Sequence, residues 1–252
     1  MSDAECGICG GTGWRVVERA GLTGAERCSC AAVARTDALR EGSGIPPTYQ
    51  NASLENFKIP QDNPVARQGL GTVMMQVRSF VREYPATERP GLLLVGGTGV
   101  GKTHLAVAAL RALIDRGHEG LFFDYQNLLD RIRSGYNQSA GTHDRAAYRS
   151  AMDCEILLLD DLGSHRVTEW VEDTVTSIIT YRCNHQKTLI ATTNLDPDEG
   201  HTSVAYTTAG GTPVHTRSLG EVIGARARSR LYEMCRVIRL PSVADYRVAK
   251  GG

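Results

Sequence analysis

The chain has 252 residues, 41% of them apolar, and its 28 Lys/Arg are balanced by 28 Asp/Glu. That is enough for one large domain with a real core plus a small appendage. No stretch approaches the length of a membrane span and no signal peptide opens the chain, so a cytoplasmic protein with reduced thiols and no membrane partner is expected.

The first element is a cysteine-rich head. Four of the seven cysteines are crowded into its pairs Cys6-x-x-Cys9 and Cys28-x-Cys30, eighteen residues apart. This spacing suits a four-thiolate zinc site, with CGGTG after Cys9 supplying a tight turn and Trp14–Glu18 a short strand between the pairs. About thirty residues cannot bury a core unaided, so a metal would supply the fold. The competing reading is a set of surface cysteines without a metal. Cys154, Cys183 and Cys235 sit singly among apolar neighbours and read as core. The resulting division is a head over residues 1–40, a Gly/Ser/Pro-rich linker over 41–50 and a main domain over 51–252.

Within the main domain, Val65 to Tyr84 has helical periodicity and stops at Pro85. Leu92–Val95 then reads as a buried strand. The run Gly96, Gly97, Thr98, Gly99, Val100, Gly101, Lys102, Thr103 fits G-x-x-x-x-G-K-[ST], and His104 leads into a helix carrying Leu105, Ala108, Ala109 and Ala112 at helical spacing. Strand, glycine loop and helix are the context that a P-loop requires. Its backbone N–H groups and the helix N-terminus hold phosphates, Lys102 reaches the β and γ phosphates of ATP, and Thr103 offers its hydroxyl to Mg2+. The alternative, a glycine-rich strand-to-helix turn with no ligand, is disfavoured because the flanking strand and helix are both in place.

Further along lie a strand at Leu121–Phe123 with a helix after it, then CEILLLDDLGS, an apolar strand ending in two acids. Asp160 is placed to hold Mg2+ and Asp161 to orient or polarise a water. KTLIATTNL is a strand ending in Asn194, which reads either as a γ-phosphate contact or as a turn residue. Ser218 and Glu221 form an S-x-x-E capping box opening a helix whose apolar face is Ile223, Ala227, Leu231 and Met234; Arg226 and Arg230 lie four apart beside it. RVIRLP is a last strand. Strands alternating with helices imply an α/β fold with a parallel sheet covered on both faces. From Val214 to Gly252 eight Lys/Arg face three Asp/Glu, which suits either a phosphate-rich partner or a solvated helix face.

ASLENF, GGTGVGKTHLA, ILLLDDLGS…TEW, TLIATTNL and IGARARSRLYE together resemble the bacterial replicative-helicase loaders of the DnaC/DnaI type, in the initiator clade of AAA+ ATPases with the IstB-type transposition helpers; the resemblance runs from about Tyr49 to Tyr246. It implies a three-layer AAA+ domain without a C-terminal helical lid, hydrolysis of ATP to ADP, and a homo-oligomeric ring or spiral when ATP is bound. It implies an arginine finger at Arg230, with Arg226 second, reaching the ATP of the next subunit. It implies contacts to single-stranded DNA from Tyr136, Thr168 and Trp170, although Trp170 on an amphipathic helix reads equally as core. The cysteine head is similar to the zinc-bearing domain with which DnaI-type loaders grip the helicase. The expected function is therefore loading of a replicative helicase onto single-stranded DNA. The alternatives are a transposition helper gripping duplex DNA and a transposase, a small-molecule kinase, and a non-enzymatic zinc adaptor. Two departures from the family are the long polar loop Asp198 to Arg217 and the Tyr181–Arg182–Cys183 run where an Arg–Tyr pair is expected.

Overall fold

The computed structural model describes residues 6–19, 21–60, 62–86, 88–137, 145–166, 168–196, 204–207, 213–215 and 218–243. The head is an antiparallel hairpin, β1 (Trp14–Arg19) and β2 (Leu22–Arg27), followed by a helix, α1 (Ser29–Gly42). Only β1 is legible in the sequence. LTGAER has no apolar alternation of its own and becomes a strand because β1 offers it a full ladder, from Trp14 opposite Arg27 to Arg19 opposite Leu22.

The stretch after α1 reads as a linker, yet it is pinned to the main domain at several points. Arg40, in the last turn of α1, bridges Asp115 at 2.9 Å; beyond the helix the buried Ser43 carbonyl accepts from the Phe122 N–H at 2.7 Å, and Ile45 and Tyr49 pack on the core. Arg111 also donates to the Ala52 carbonyl. Next comes α2 (Pro64–Glu83), capped by the Asn63 side chain, which accepts from the Ala66 N–H at 3.0 Å, and ended before Pro85.

The remaining elements alternate: β3 (Gly91–Val95), α3 (Lys102–Ile114), β4 (Gly120–Asp124), α4 (Tyr125–Asn137), α5 (Arg145–Asp153), β5 (Ile156–Asp160), α6 (Glu169–Asn184) and β6 (Thr188–Thr193). Within the polar stretch 198–217, which reads as a loop, Val204–Thr207 and Pro213–His215 pair as a small hairpin, β7 and β8; the rest of it lies outside the described residues. The chain closes with α7 (Leu219–Ile223), α8 (Ala225–Met234) and β9 (Cys235–Arg239). The sequence suggests one helix across α7 and α8. Gly224 interrupts it at φ 86°, a left-handed conformation in which a Cβ would also strike the Glu172 side chain.

Five parallel strands form the main sheet in the order β4-β5-β6-β3-β9. Their side chains alternate. Leu93, Val95, Leu157, Leu159 and Ala191 face a core shared with α4 to α8, whereas Leu92, Leu94, Leu158 and Ile190 face α2 and α3. The result is a three-layer α/β/α sandwich. β3 and β6 are neighbours, but the chain leaves β3 toward one face and β6 toward the other. The crevice opened at their C-terminal ends is where a parallel sheet binds its ligand. Among the described residues no helix is long and apolar enough to cross a membrane.

Candidate functional site

The P-loop sits over this crevice. Gly101, the N-cap of α3, has φ 97°, and a Cβ there would lie 2.5 Å from the Phe57 ring, so only glycine lets the loop close beneath that aromatic. Lys102 opens the helix, buried, and its Nζ donates to the Gly97 carbonyl at 2.7 Å and, in a short hydrogen bond, to Asn194 Oδ1. Residues 92 positions apart thus meet through the β3–β6 pairing. His104 turns instead toward the segment before α2: its Nε2 donates to the Ser53 carbonyl at 3.0 Å, and its ring lies 5.5 Å from that of Phe57.

Asp160 ends β5 two strands from the P-loop and is buried. Burial holds its pKa above the usual carboxylate range, and the charges of Asp161 and Asp124 push the same way; hydrogen bonds from Thr192 and Thr103 oppose them. The Thr103 hydroxyl and the Asp160 carboxylate therefore adjoin, as a shared Mg2+ would require, and a divalent cation would relieve the crowded negative charge. Asp161 turns out of the strand at φ 54° and is half-buried.

Sequence reasoning missed three residues here. Thr192 bonds both acids, donating to Asp160 Oδ1 at 2.7 Å and accepting from the Asp161 N–H at 2.9 Å. Thr193 donates to the Leu162 carbonyl at 2.8 Å and accepts from the Leu195 N–H at 3.1 Å, which fixes the turn around Asn194. Phe57 roofs Gly101. The readable signal was the adjacent pair Thr192–Thr193 closing a fully buried strand, since buried hydroxyls need partners.

Arg226 and Arg230 lie on α8, whose last residue precedes Cys235, the partner of Gly91 at the start of β3. That helix therefore runs toward the end of the sheet opposite the P-loop. Arg230 pairs with Glu233 at 2.5 Å, a contact that raises its pKa, while Arg226 is exposed. Much of the C-terminal positive charge is engaged: Arg236 bridges Glu83 at 2.7 Å, and Arg228 lies 5.2 Å from the Tyr232 ring centroid.

Thr168 is the N-cap of α6, its hydroxyl accepting from the Val171 N–H at 3.3 Å. Trp170 is half-buried against the core, with the Arg133 guanidinium 4.7 Å from its ring centroid. His165 lies 3.8 Å from Asp130. These contacts fasten α4 to the segment just after Asp161. Tyr136 falls in the last turn of α4, and its side chain lies outside the described residues.

In the head the sulfurs of Cys6, Cys9, Cys28 and Cys30 all lie within 4.8 Å of one another, with Cys6–Cys28 at 3.7 Å and Cys9–Cys30 at 3.4 Å. Tetrahedral zinc with bonds of about 2.3 Å sets its sulfurs about 3.8 Å apart, so the four fit the ion, and all are free thiols. The Gly13 N–H donates to the Cys9 sulfur at 3.3 Å. Burial raises the Cys9 thiol, yet hydrogen bonds, that of Cys30 foremost, draw it down to about 6, whereas hydrogen bonds with Cys9 and Cys28 push Cys30 up to about 12. Thiols this close resist joint ionisation without a cation. Ile8, Trp14, Val16, Leu22 and Val33 leave the head's surface strongly apolar, Val16 being 78% exposed.

The family described as IstB-like ATP binding protein matches residues 50–207. The replicative helicase loader DnaC of Escherichia coli K12 is 24% identical over 157 residues, 62% of this chain and 61% of that protein. The replicative helicase loader DnaI of Bacillus subtilis is 24% identical over 170 residues, 67% of this chain and 51% of that protein. The chain thus spans 61% or less of the length of these relatives. A crystal structure of the DnaC helicase loader superposes with a TM-score of 0.61 at 30% identity, covering 78% of this chain and all of that one. With its P-loop, paired acids and five-stranded sheet, the chain belongs to the family of IstB-like ATP binding proteins, its main domain an AAA+ domain of the DnaC/DnaI type.

Proposed function

We propose that this chain is an ATPase that loads a replicative helicase onto single-stranded DNA, with ATP switching both its assembly and its grip on DNA. The observation that carries this reading is the continuity between the nucleotide site and α4: Asp160 and Asp161 lead directly into the segment that His165 and Trp170 tie to Asp130 and Arg133. A change at the phosphates can therefore move the surface on which DNA would lie.

The phosphates would rest on the N-terminus of α3, drawing Lys102 away from Asn194. Thr103 and Asp160 would hold Mg2+, which when bound neutralises β- and γ-phosphate charge. Asp161 would orient the attacking water. As its oxygen bonds to the γ-phosphorus, the bond to the β–γ bridging oxygen breaks and the water's proton leaves through Asp161. Asn194, freed from Lys102, would contact the γ-phosphate. Arg230 of a neighbouring copy, with Arg226 beside it, would supply charge across the interface of a ring or spiral. Trp170, Thr168 and Tyr136 would take single-stranded DNA, an aromatic face accepting any base. The zinc-bound head would dock the helicase through its exposed apolar surface.

The family match to IstB-like proteins favours a second reading, a transposition helper acting on duplex DNA with a transposase. Affinities for single-stranded and duplex DNA, with a non-hydrolysable ATP analogue and with ADP, separate the two. The loader reading expects single strands to bind more tightly, ATP-dependently, and equal or better duplex binding overturns it. A pull-down of helicase by the intact chain but not by one lacking residues 1–45 tests the head.

A further inference from the structure

We propose that Thr192 is a positioning residue of the nucleotide site, one side chain that sets the relative placement of the two carboxylates Asp160 and Asp161. The inference rests on the reading of those acids as the magnesium-binding and water-orienting groups.

The geometry is specific. Thr192 lies in β6, fully buried, beside the end of β5. The backbone ladder between these strands runs up to Leu159 opposite Ala191 and stops there. Beyond that point the chain leaves the strand, and Asp161 adopts φ 54°. Its N–H cannot continue the ladder, and the Thr192 hydroxyl accepts it at 2.9 Å. The same hydroxyl has one proton to give, and gives it to Asp160 Oδ1 at 2.7 Å. The Thr192 carbonyl accepts from the Leu162 N–H at 2.7 Å. One residue of the neighbouring strand therefore pins three successive residues across the turn that carries both acids.

Valine would fill the same volume in this strand and suit it better, because a buried hydroxyl must find partners. The hydroxyl's partners are the two acids. Without it, Asp160 keeps the Thr103 contact on its P-loop side but can rotate, and Asp161 loses the acceptor that holds its backbone in a left-handed turn. Nothing in Thr192 needs to touch ATP; it acts through the groups that do.

The test is ATP turnover by the full chain, with kcat, KM for ATP and the Mg2+ concentration for half-maximal rate measured for wild type, Thr192→Val, Thr192→Ala and Thr192→Ser. Loss of a hydrogen bond to a charged group predicts a fall in kcat of roughly 10–100-fold in the Val variant, with a raised Mg2+ requirement and KM within about threefold. Thr192→Ser, which keeps the hydroxyl, recovers kcat to within about threefold of wild type on the same basis. Thr192→Ala repeats the measurement if the Val variant does not fold. Wild-type turnover and Mg2+ dependence in the variants lacking the hydroxyl overturn the proposal, as does a Ser variant no better than Val. A wild-type chain that hydrolyses no ATP, with or without single-stranded DNA, overturns the parent reading as well, so the two failures are told apart.

Discussion

Arg182, in the Tyr181–Arg182–Cys183 run that departs from the family pattern, carries a stability prediction that can be worked from its contacts. Its side chain is fully buried, and among the described residues its hydrogen-bond partners include no carboxylate. Nη1 donates toward the carbonyls of Ala151, Met152 and Cys154 at 2.8, 3.2 and 3.1 Å, and Nη2 toward those of Glu155 and Thr188 at 3.1 and 2.5 Å. The guanidinium thus closes the C-terminal end of α5 and the starts of β5 and β6, and burial lowers its pKa. Arg182→Met keeps most of the volume and removes every donor. Four N–H groups on the two Nη atoms disappear, and carbonyls that no water easily reaches lose their partners. At about 1 kcal/mol for each orphaned acceptor, with the relief of guanidinium desolvation set against the lost charge-assisted bonds, the cost is about 3–5 kcal/mol. With a urea m-value of about 3 kcal/mol/M, the midpoint should fall by about 1–1.7 M. The measurement is equilibrium urea unfolding of the full chain by far-ultraviolet circular dichroism. Arg182→Lys, with three donors, should recover part of the loss. A methionine variant whose midpoint matches wild type within about 0.3 M would refute the cage as a source of stability.

Three further outcomes are expected. Freshly purified protein should carry one zinc per chain, and Cys6→Ser should release it and weaken helicase capture while ATP binding survives; metal analysis without zinc removes the head's proposed role. Arg230→Ala should bind ATP almost normally yet lose on the order of 10³-fold in hydrolysis, and mixing it with Lys102→Ala should restore activity at mixed interfaces; normal turnover by the single variant would place the finger elsewhere. Trp170→Ala should weaken single-strand binding by about 1–3 kcal/mol per stacked base and also lower the melting temperature, because the ring packs on the core as well as against Arg133; a melting change with unaltered DNA affinity would leave only the packing role.

Local sequence determined a great deal of this protein. A run such as Leu92–Val95, short, apolar on both faces and followed by a glycine loop, reads as an inner strand; the glycines and the lysine of the P-loop declare the turn they form; Pro85, after a long periodic run, marks where that helix stops. Four cysteines at knuckle spacing likewise announced a cluster that the fold assembles within 4.8 Å. These readings succeed because the interactions behind them span only a few residues or repeat with a fixed period.

What only the tertiary structure decided depends on which strand lies beside which. Placing β6 between β3 and β5 brings Asn194 to Lys102 and Thr192 to both acids, and no periodicity records that order. The same holds for LTGAER, a strand only because β1 lies beside it, and for the linker, whose Ser43 carbonyl finds the Phe122 N–H across the edge of the sheet. Nothing local in the sequence marks Arg182 as buried; α5, β5 and β6 converge on it only in the fold. Each partner is either a backbone group, which any sequence supplies at every position, or a side chain that only the strand order selects. Its identity is therefore invisible until the chain is folded.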